Sequence, residues 1–190
     1  MSTPQYARLP ERFTADDFAR ISFDVVALTD RLFAGEDWAK LVAAHIYLDH
    51  ILMETLRDRI VDIDIYLKGG HKTFSDKLAL CQAHRLVDAD LAATLRAINT
   101  ARNQFAHRLD FNVTDELKVK LFKQFSPARV EADVLGDEGF ANFLLTVVML
   151  LEFERIYQFK IQALEGEARL LREKVFDAVA ELYSTRMLED

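Results

Sequence analysis

Turn-forming residues are scarce in this sequence, which contains only 6 glycines and 3 prolines among its 190 residues. A β-rich fold needs many tight turns, and glycine and proline supply most of the backbone conformations that those turns require. Apolar residues instead recur every three to four positions along most of the chain, the spacing of one face of an amphipathic helix. We therefore expect an all-α fold, an up-and-down bundle whose helices are joined by short loops.

The expected helices fit one domain. A chain of 190 residues with 51% apolar residues can bury one sizeable core. We expect a single helical domain over residues 1–190, with its core at about 14–125 and two long C-terminal helices at about 138–188. Capping residues and apolar spacing predict seven helices. The first four run from Thr14 to Gly35, from Asp37 to Gly69, from Ser75 over a short stretch, and from Asp88 to about Leu109. The last three run from Thr114 to Phe125, from Glu138 to Leu164 and from Glu167 to Leu188.

The charge balance limits the classes of partner. The formal net charge is -7, which repels phosphate backbones at long range and disfavours a protein that coats nucleic acid broadly. The same charge leaves open a local basic site, so it argues against broad coating and not against every anionic ligand.

The single cysteine and the lengths of the apolar runs indicate in which cellular compartment the protein is expected. Cys81 is the only cysteine, so neither an intramolecular disulfide nor a multi-thiolate metal site can form, which is typical of a reducing cytoplasm. Met1 to Phe13 lacks the apolar stretch of a secretory signal, and the longest apolar run, Phe143 to Leu151, is far too short to span a bilayer. We expect a cytoplasmic protein with no membrane partner.

The helix that begins near Asp88 carries two distinct faces. On an ideal helix one face is apolar and must point inward; it consists of Leu91, Leu95, Ile98, Ala101, Phe105 and Leu109. A separate polar stripe consists of Arg96, Asn99, Asn103 and His107. Asn103 and His107 are four residues apart, so the amide can hydrogen-bond the imidazole and fix its tautomer. This pair could orient a proton-transfer group.

Arg102 lies on the apolar side of the same helix, about 140° from His107. Two interpretations remain open. The arginine could bury its methylene groups and pair with a carboxylate such as Asp49 or Glu54 on the long second helix. Alternatively, Arg102 and His107 both reach a cleft, which a second subunit could complete, and bind a phosphate there.

A metal site is considered at His45 and Asp49, which share one helix face. His50 is about 140° away from His45, and no third ligand is spaced to join the pair. A histidine hydrogen-bonded within a helical protein is the commoner case, so we predict no metal and no cofactor. An apolar run is followed by Glu152, Glu154 and Arg155, which are expected to be interface or capping charges rather than paired catalytic carboxylates.

Three segments together resemble a known family. They are Phe74-Ser75-Asp76-Lys77-Leu78-Ala79-Leu80, then Arg102-Asn103-Gln104-Phe105-Ala106-His107, and then Phe111. They resemble the mannitol operon repressor-like (MltR-like) family, and the RNxxxH motif of Arg102, Asn103 and His107 resembles the arginine-to-histidine signature of the wider HEPN superfamily. The resemblance covers roughly residues 40–125.

The resemblance implies a HEPN-like bundle, usually a homodimer, whose active members are metal-independent endoribonucleases that act as toxins or antiviral effectors. It implies that His107 acts in proton transfer, that Arg102 stabilises the charge on the phosphorane, and that Asn103 is the polar residue after the arginine. Arg96 and Asn99, on the same stripe, are then expected to contact the substrate. The implied partners are an RNA substrate and a cognate antitoxin or regulatory protein.

A different functional class remains open beside the enzyme. No convincing helix-turn-helix pattern is present, which argues against direct binding to an operator. Many HEPN-like proteins are non-catalytic, and the acidic charge does not steer RNA toward the protein. The alternative is a non-catalytic MltR-like regulatory or interaction module, in which Arg102 holds the fold and the long terminal helices bind a partner.

Overall fold

The computed structural model describes residues 14–70, 72–106, 112–125 and 138–186, with side chains to residue 175. Every regular element in these ranges is a helix, which confirms the all-α prediction. The helices are α1 (Ala15–Phe18), α2 (Val25–Phe33), α3 (Asp37–Arg59), α4 (Ile63–Lys68), α5 (Phe74–Ala83), α6 (Ala89–Ala106), α7 (Asp115–Phe125) and α8 (Gly139–Arg186). None of the described helices combines the length and apolar character needed to cross a membrane.

The chain divides into two compact units, Met1–Ile156 and Tyr157–Asp190. In the first unit α3 is central and packs against α2, α5 and α6, while α6 also packs against α5 and α7. The core is built mainly from leucines of α3 and α6 and from the first turns of α8. The second unit, in the structure described, is the remainder of α8.

The inward face predicted for α6 is confirmed over its first part. Leu91, Leu95, Ile98 and Ala101 are all at most 2% exposed. Phe105, predicted on the same face, is half-buried, and its ring stacks on Trp38 with centroids 5.2 Å apart. Leu109 lies outside the described residues. Since the apolar face is used for packing, the remaining sides of α6 are free to contribute to a pocket.

The apolar start of α8 belongs to the core of the first unit. Buried side chains occur here at helical spacing and include Phe140, Phe143, Leu144, Val147, Val148 and Leu151. The rings of Phe122 and Phe125 on α7 contact Phe143. The apolar side chains of this segment are therefore buried by other parts of the same chain.

The prediction of one unbroken helix from Thr14 to Gly35 is wrong, because two helices lie in this range. Thr14 does cap α1 and forms a reciprocal capping box with Asp17, but the helix stops after Phe18. A second start follows at Asp24, whose Oδ1 accepts from the backbone N–H groups of Val26 and Ala27. A side-chain cap of this kind favours a helix start over continuation of the previous helix.

Replacement of Asp24 by alanine is expected to lower the free energy of unfolding by about 1 kcal/mol, because two N–H groups at the start of α2 lose their acceptor. Chemical denaturation measures this difference. Asp30→Ala is the matched control, since Asp30 is an exposed aspartate inside the same helix. Alanine favours the helix interior, so that variant should be neutral or slightly more stable. Equal losses in the two variants would contradict the capping role.

The predicted second helix, from Asp37 to Gly69, is also divided. It ends at Arg59, and α4 begins after Asp62, whose φ of 62° lies in the left-handed region. Aspartate tolerates this region better than most residues, which permits the break without a glycine. Asp37 is not the cap; the N-cap is Glu36, which makes no side-chain cap bond.

The remaining predicted boundaries are mostly confirmed, with one correction at the C-terminus. Asp88 accepts from the N–H of Leu91 at 2.8 Å, and Thr114 from that of Leu117 at 3.3 Å. The third helix starts one residue earlier than predicted, at Phe74. The two predicted C-terminal helices are one continuous helix, α8. A single helical glycine costs only about 1 kcal/mol, so Gly166 does not end it.

A buried ionic cluster joins α8 to α3 and to the segment between α1 and α2. Glu152 is fully buried and Arg155 is 8% exposed. The guanidinium of Arg155 donates to Glu152 and Asp58 and to the backbone carbonyl of Arg20. Glu152 also accepts from the backbone N–H of Ser22 at 2.6 Å. The expectation that Glu152 and Arg155 are interface or capping charges is therefore wrong, because both are inside the first unit.

Candidate functional site

A polar pocket of about 500 Å³ opens between α3, the start of α5 and α6. Helix α3 contributes one side, the turn before α5 and its first residues a second, and α6 the third. The lining residues are His45, Ile46, Asp49, Lys72, Thr73, Phe74, Ser75, Asn99, Arg102 and Asn103. The site lies within the first unit, and most of its lining side chains can donate or accept hydrogen bonds.

Helix geometry explains why α6 supplies three of these side chains. Asn99, Arg102 and Asn103 are spaced three and four residues apart, so they share one side of the helix. Arg102 is half-buried, and its Nη1 donates to Oδ1 of Asn103 at 3.3 Å. Arg102 therefore faces the pocket rather than the packed core. The ideal-helix projection placed Arg102 on the apolar side of α6, but in the structure its side chain lines the pocket together with Asn99 and Asn103 of the polar stripe.

The ion pair of Arg102 with Asp49 or Glu54, one of the two interpretations that the sequence left open, is not formed. Lys77 Nζ lies 2.6 Å from each carboxylate oxygen of Asp49, and Arg57 pairs with Glu54 at 2.5 Å. Both carboxylates are thereby taken by other cations. Among the described residues, Arg102 has no carboxylate partner, so its guanidinium can accept an anionic ligand.

His45 lies at the inner side of the pocket and is held from two directions. Its Nε2 is 2.9 Å from Oδ1 of Asn99, and its ring stacks on Phe74 with centroids 4.6 Å apart. The amide nitrogen of Asn99 in turn donates to Oγ of Ser75 at 3.2 Å. With the amide oriented this way, Nε2 of His45 carries the proton, and Nδ1 is the nitrogen that can accept one.

The surroundings of His45 favour the neutral imidazole. Burial lowers the pKa of His45 below its ordinary value of 6.5, against the opposing effect of the Asn99 hydrogen bond, which raises it. The positive charges of Arg102 and Lys77 lower this pKa further, while the negative charge of Asp49 raises it. A pocket histidine that is neutral near pH 7 can serve as a proton acceptor.

The lowered pKa predicts a pH-dependent stability. Between about pH 5 and 7 the unfolded chain binds a proton at His45 more readily than the folded chain, so the free energy of unfolding should fall as the pH decreases below 6.5 toward the folded pKa. Urea unfolding at a series of pH values measures this slope. His45→Gln should reduce it, whereas the exposed His84→Gln should leave it in place. An unchanged slope in His45→Gln would contradict the assignment.

The structure brings together only some of the predicted site residues. Arg102, Asn103 and Asn99 line one pocket, with Asn99 positioned as the partner of His45. Arg96 is exposed, bonds Gln82 and does not belong to the pocket lining. His107 lies outside the described residues. The hydrogen-bonded state that the sequence analysis favoured for His45 over a metal site is confirmed, but its partner Asn99 is 54 positions away and was not predicted.

No group of three or more histidine, cysteine or acidic side chains is arranged to hold a metal ion in the part of the chain that the structure describes. Comparisons with protein-family models, curated proteins and solved structures give no match to this chain. Function must therefore be inferred from the chemistry of the pocket.

Proposed function

We propose that this chain is a HEPN-like, metal-independent endoribonuclease of the toxin or effector type, whose pocket binds an RNA phosphodiester through Arg102. The observation that carries the proposal is a half-buried guanidinium, without a carboxylate partner among the described residues, that lines a pocket of about 500 Å³. A guanidinium can bind two phosphate oxygens at once, and its charge stabilises the additional negative charge of a phosphorane.

Local charge supports an anionic ligand despite the net charge of -7. Among the described residues two cations line the pocket, Arg102 and Lys72, and the one lining carboxylate, Asp49, is neutralised by Lys77. The ammonium group of Lys72 lies 4.3 Å from the centre of the Tyr66 ring, which holds it near the pocket. The pocket is thus a small basic site on an acidic protein, which suits binding of one or a few phosphates rather than a long duplex.

The amides of Asn99 and Asn103 suit an RNA ligand in addition to phosphate. Asn103 accepts from Arg102 through its oxygen and keeps its amide nitrogen as a donor. Ser75 adds a hydroxyl beside the Asn99 amide. Donors and acceptors at this spacing can hydrogen-bond a ribose hydroxyl, which is the group that distinguishes RNA from DNA.

The proposed reaction is attack of a ribose 2′-hydroxyl on the adjacent phosphodiester. His45 Nδ1 takes the proton of the 2′-hydroxyl, the 2′ oxygen bonds to phosphorus, and the bond from phosphorus to the 5′ oxygen breaks. The leaving 5′ oxygen then takes a proton from a second donor, a role compatible with His107 in the HEPN resemblance. The products are a 2′,3′-cyclic phosphate and a 5′-hydroxyl.

The proposal is tested with purified protein and single-stranded RNA in the presence of EDTA. We expect cleavage without a divalent metal, and fragments that end in a cyclic phosphate and a 5′-hydroxyl. His45→Gln should cleave much more slowly, and the acid limb of its pH–rate profile should change because the proton acceptor is lost. Wild-type protein that cleaves no RNA, or that needs a metal to do so, would contradict the proposal.

The rival function is a non-catalytic MltR-like regulatory or interaction module. It is favoured by a specific observation in the second unit, where large apolar side chains of α8 are exposed, among them Leu164 and Leu171 at 64% each. Exposed leucines at helical spacing are typical of a surface that binds another helix. An inactive wild-type protein that still binds a partner through α8 would support this function.

A further inference from the structure

Apolar residues of the second unit recur along α8 in a heptad pattern. They lie at alternating spacings of three and four, at Ile161, Leu164, Ala168, Leu171 and Val175; Ile161 is half-buried and the other four are exposed. The sequence continues the spacing with alanine at position 178 and leucine at position 182. This is the repeat of a and d positions in a coiled coil. Leu164, Leu171 and Val175 are 64%, 64% and 56% exposed, so no described residue covers these three side chains.

We propose that this stripe, defined as Ile161, Leu164, Ala168, Leu171 and Val175, packs against the same stripe of a second copy of this chain as a parallel, two-stranded coiled coil. This proposal is independent of the proposed enzymatic function, since it concerns the second unit alone.

The residue types at the seam select two parallel strands. If Ile161 is an a position, the a positions are Ile161, Ala168 and Val175, and the d positions are Leu164 and Leu171. β-Branched residues at a and leucine at d favour a parallel dimer over trimers and tetramers. The small Ala168 occupies one a layer, where it allows the two helices to approach closely.

The charges that flank the stripe match a second copy in the same direction. In a parallel pair, each g residue faces the e residue five positions later on the other helix. Glu167 at g then faces Arg172 of the partner helix, and Lys160 at g faces Glu165. Both relations bring opposite charges together. Each pair occurs twice by symmetry, so the flanking charges favour the parallel, in-register arrangement.

Glu167 and Arg172 have no oppositely charged partner within their own helix. Neither residue has an oppositely charged neighbour three or four positions away, where intrahelical pairs form. Both are exposed, and neither has an ion-pair partner among the described residues. A second copy supplies the missing partner for each.

Two adjacent leucines provide a matched test of the seam. Leu171 lies at a d position, and Leu170 lies at a c position outside the seam, with similar exposures of 64% and 56%. Sedimentation or light scattering over a concentration series should give twice the 21.8 kDa mass of one chain for wild type and for Leu170→Glu, but one chain mass for Leu171→Glu. Circular dichroism verifies that each variant is still helical.

The orientation is tested by exchanging charges. Glu167→Lys should raise the dimer dissociation constant by about tenfold, because it places like charges together twice. Glu173→Lys makes the same charge change at an outward f position and should have little effect. The double variant Glu167→Lys/Arg172→Glu restores opposite charges across a parallel pair, and should regain the wild-type constant.

Each other outcome overturns the proposal. A monomeric wild type excludes the coiled coil, and a dimer that survives Leu171→Glu must use another surface. Dissociation by both leucine variants would show non-specific association of apolar side chains. A double charge variant that remains as weak as Glu167→Lys would exclude the parallel, in-register orientation.

Discussion

Replacement of Arg155 by alanine is expected to lower the free energy of unfolding by about 3–5 kcal/mol, the cost of leaving a buried charge without its partner. Arg155 donates to Glu152, which is fully buried, and also to Asp58 and the carbonyl of Arg20. Of the donors to Glu152 in the described part of the chain, removal of Arg155 leaves those of Ser22. Urea unfolding at neutral pH, followed by circular dichroism, measures the loss.

Arg57→Ala is the matched control for Arg155→Ala. Arg57 forms an ion pair with Glu54 three residues earlier on α3, but its side chain is 54% exposed. Exposed pairs of this kind contribute about 0–1 kcal/mol. If the two alanine variants lost similar amounts, the cluster around Arg155 would not be a structural centre. Arg155→Met/Glu152→Gln should recover part of the loss, because the orphaned charge is then removed as well.

Local sequence signals were sufficient for several helix starts. Thr14, Asp88 and Thr114 each accept a hydrogen bond from a backbone N–H three residues later. Such bonds join residues only three positions apart in the sequence, so they can be predicted without knowledge of the fold. The buried face of α6 was predictable for the same reason, since apolar spacing along one helix determines which side turns inward.

The helix breaks required information that apolar spacing does not contain. The spacing continues through Ile21 and Val25, yet Asp24 starts a new helix there. It also continues through Ile60 and Ile63, where Asp62 adopts a left-handed conformation. Conversely, Gly166 suggested a break that the helix does not make. Propensity is a weak signal at a single residue, and packing decides between neighbouring alternatives.

The partners of buried polar groups were beyond prediction from one sequence. Glu152 and the Ser22 N–H are 130 positions apart, and His45 and Asn99 are 54 apart. For Arg102 the sequence offered Asp49 as a partner, but Lys77 occupies that carboxylate. Several cations could reach each carboxylate in a helical bundle, and only the packing of α3 against α5 determines which one does. Because Lys77 occupies Asp49, Arg102 has no carboxylate partner among the described residues.

Replacement of Arg102 by alanine is expected to reduce kcat/KM for RNA cleavage by about 10²–10³-fold, the usual cost of removing one preorganised group that stabilises charge in a transition state. Arg102→Lys should recover only part of the rate, because an ammonium keeps the charge but cannot bind two phosphate oxygens in a fixed fork. Single-turnover cleavage of a short labelled RNA measures both effects.

Stability measurements on the same variants separate the two roles that the sequence left open for Arg102. A guanidinium without a carboxylate partner leaves no buried charge behind, so Arg102→Ala should change the free energy of unfolding by less than about 1 kcal/mol. Arg57→Ala, which removes an arginine outside the pocket, should retain full cleavage. A loss of several kcal/mol in Arg102→Ala, with cleavage within a few fold of wild type, would instead assign Arg102 to the scaffold and favour the interaction module.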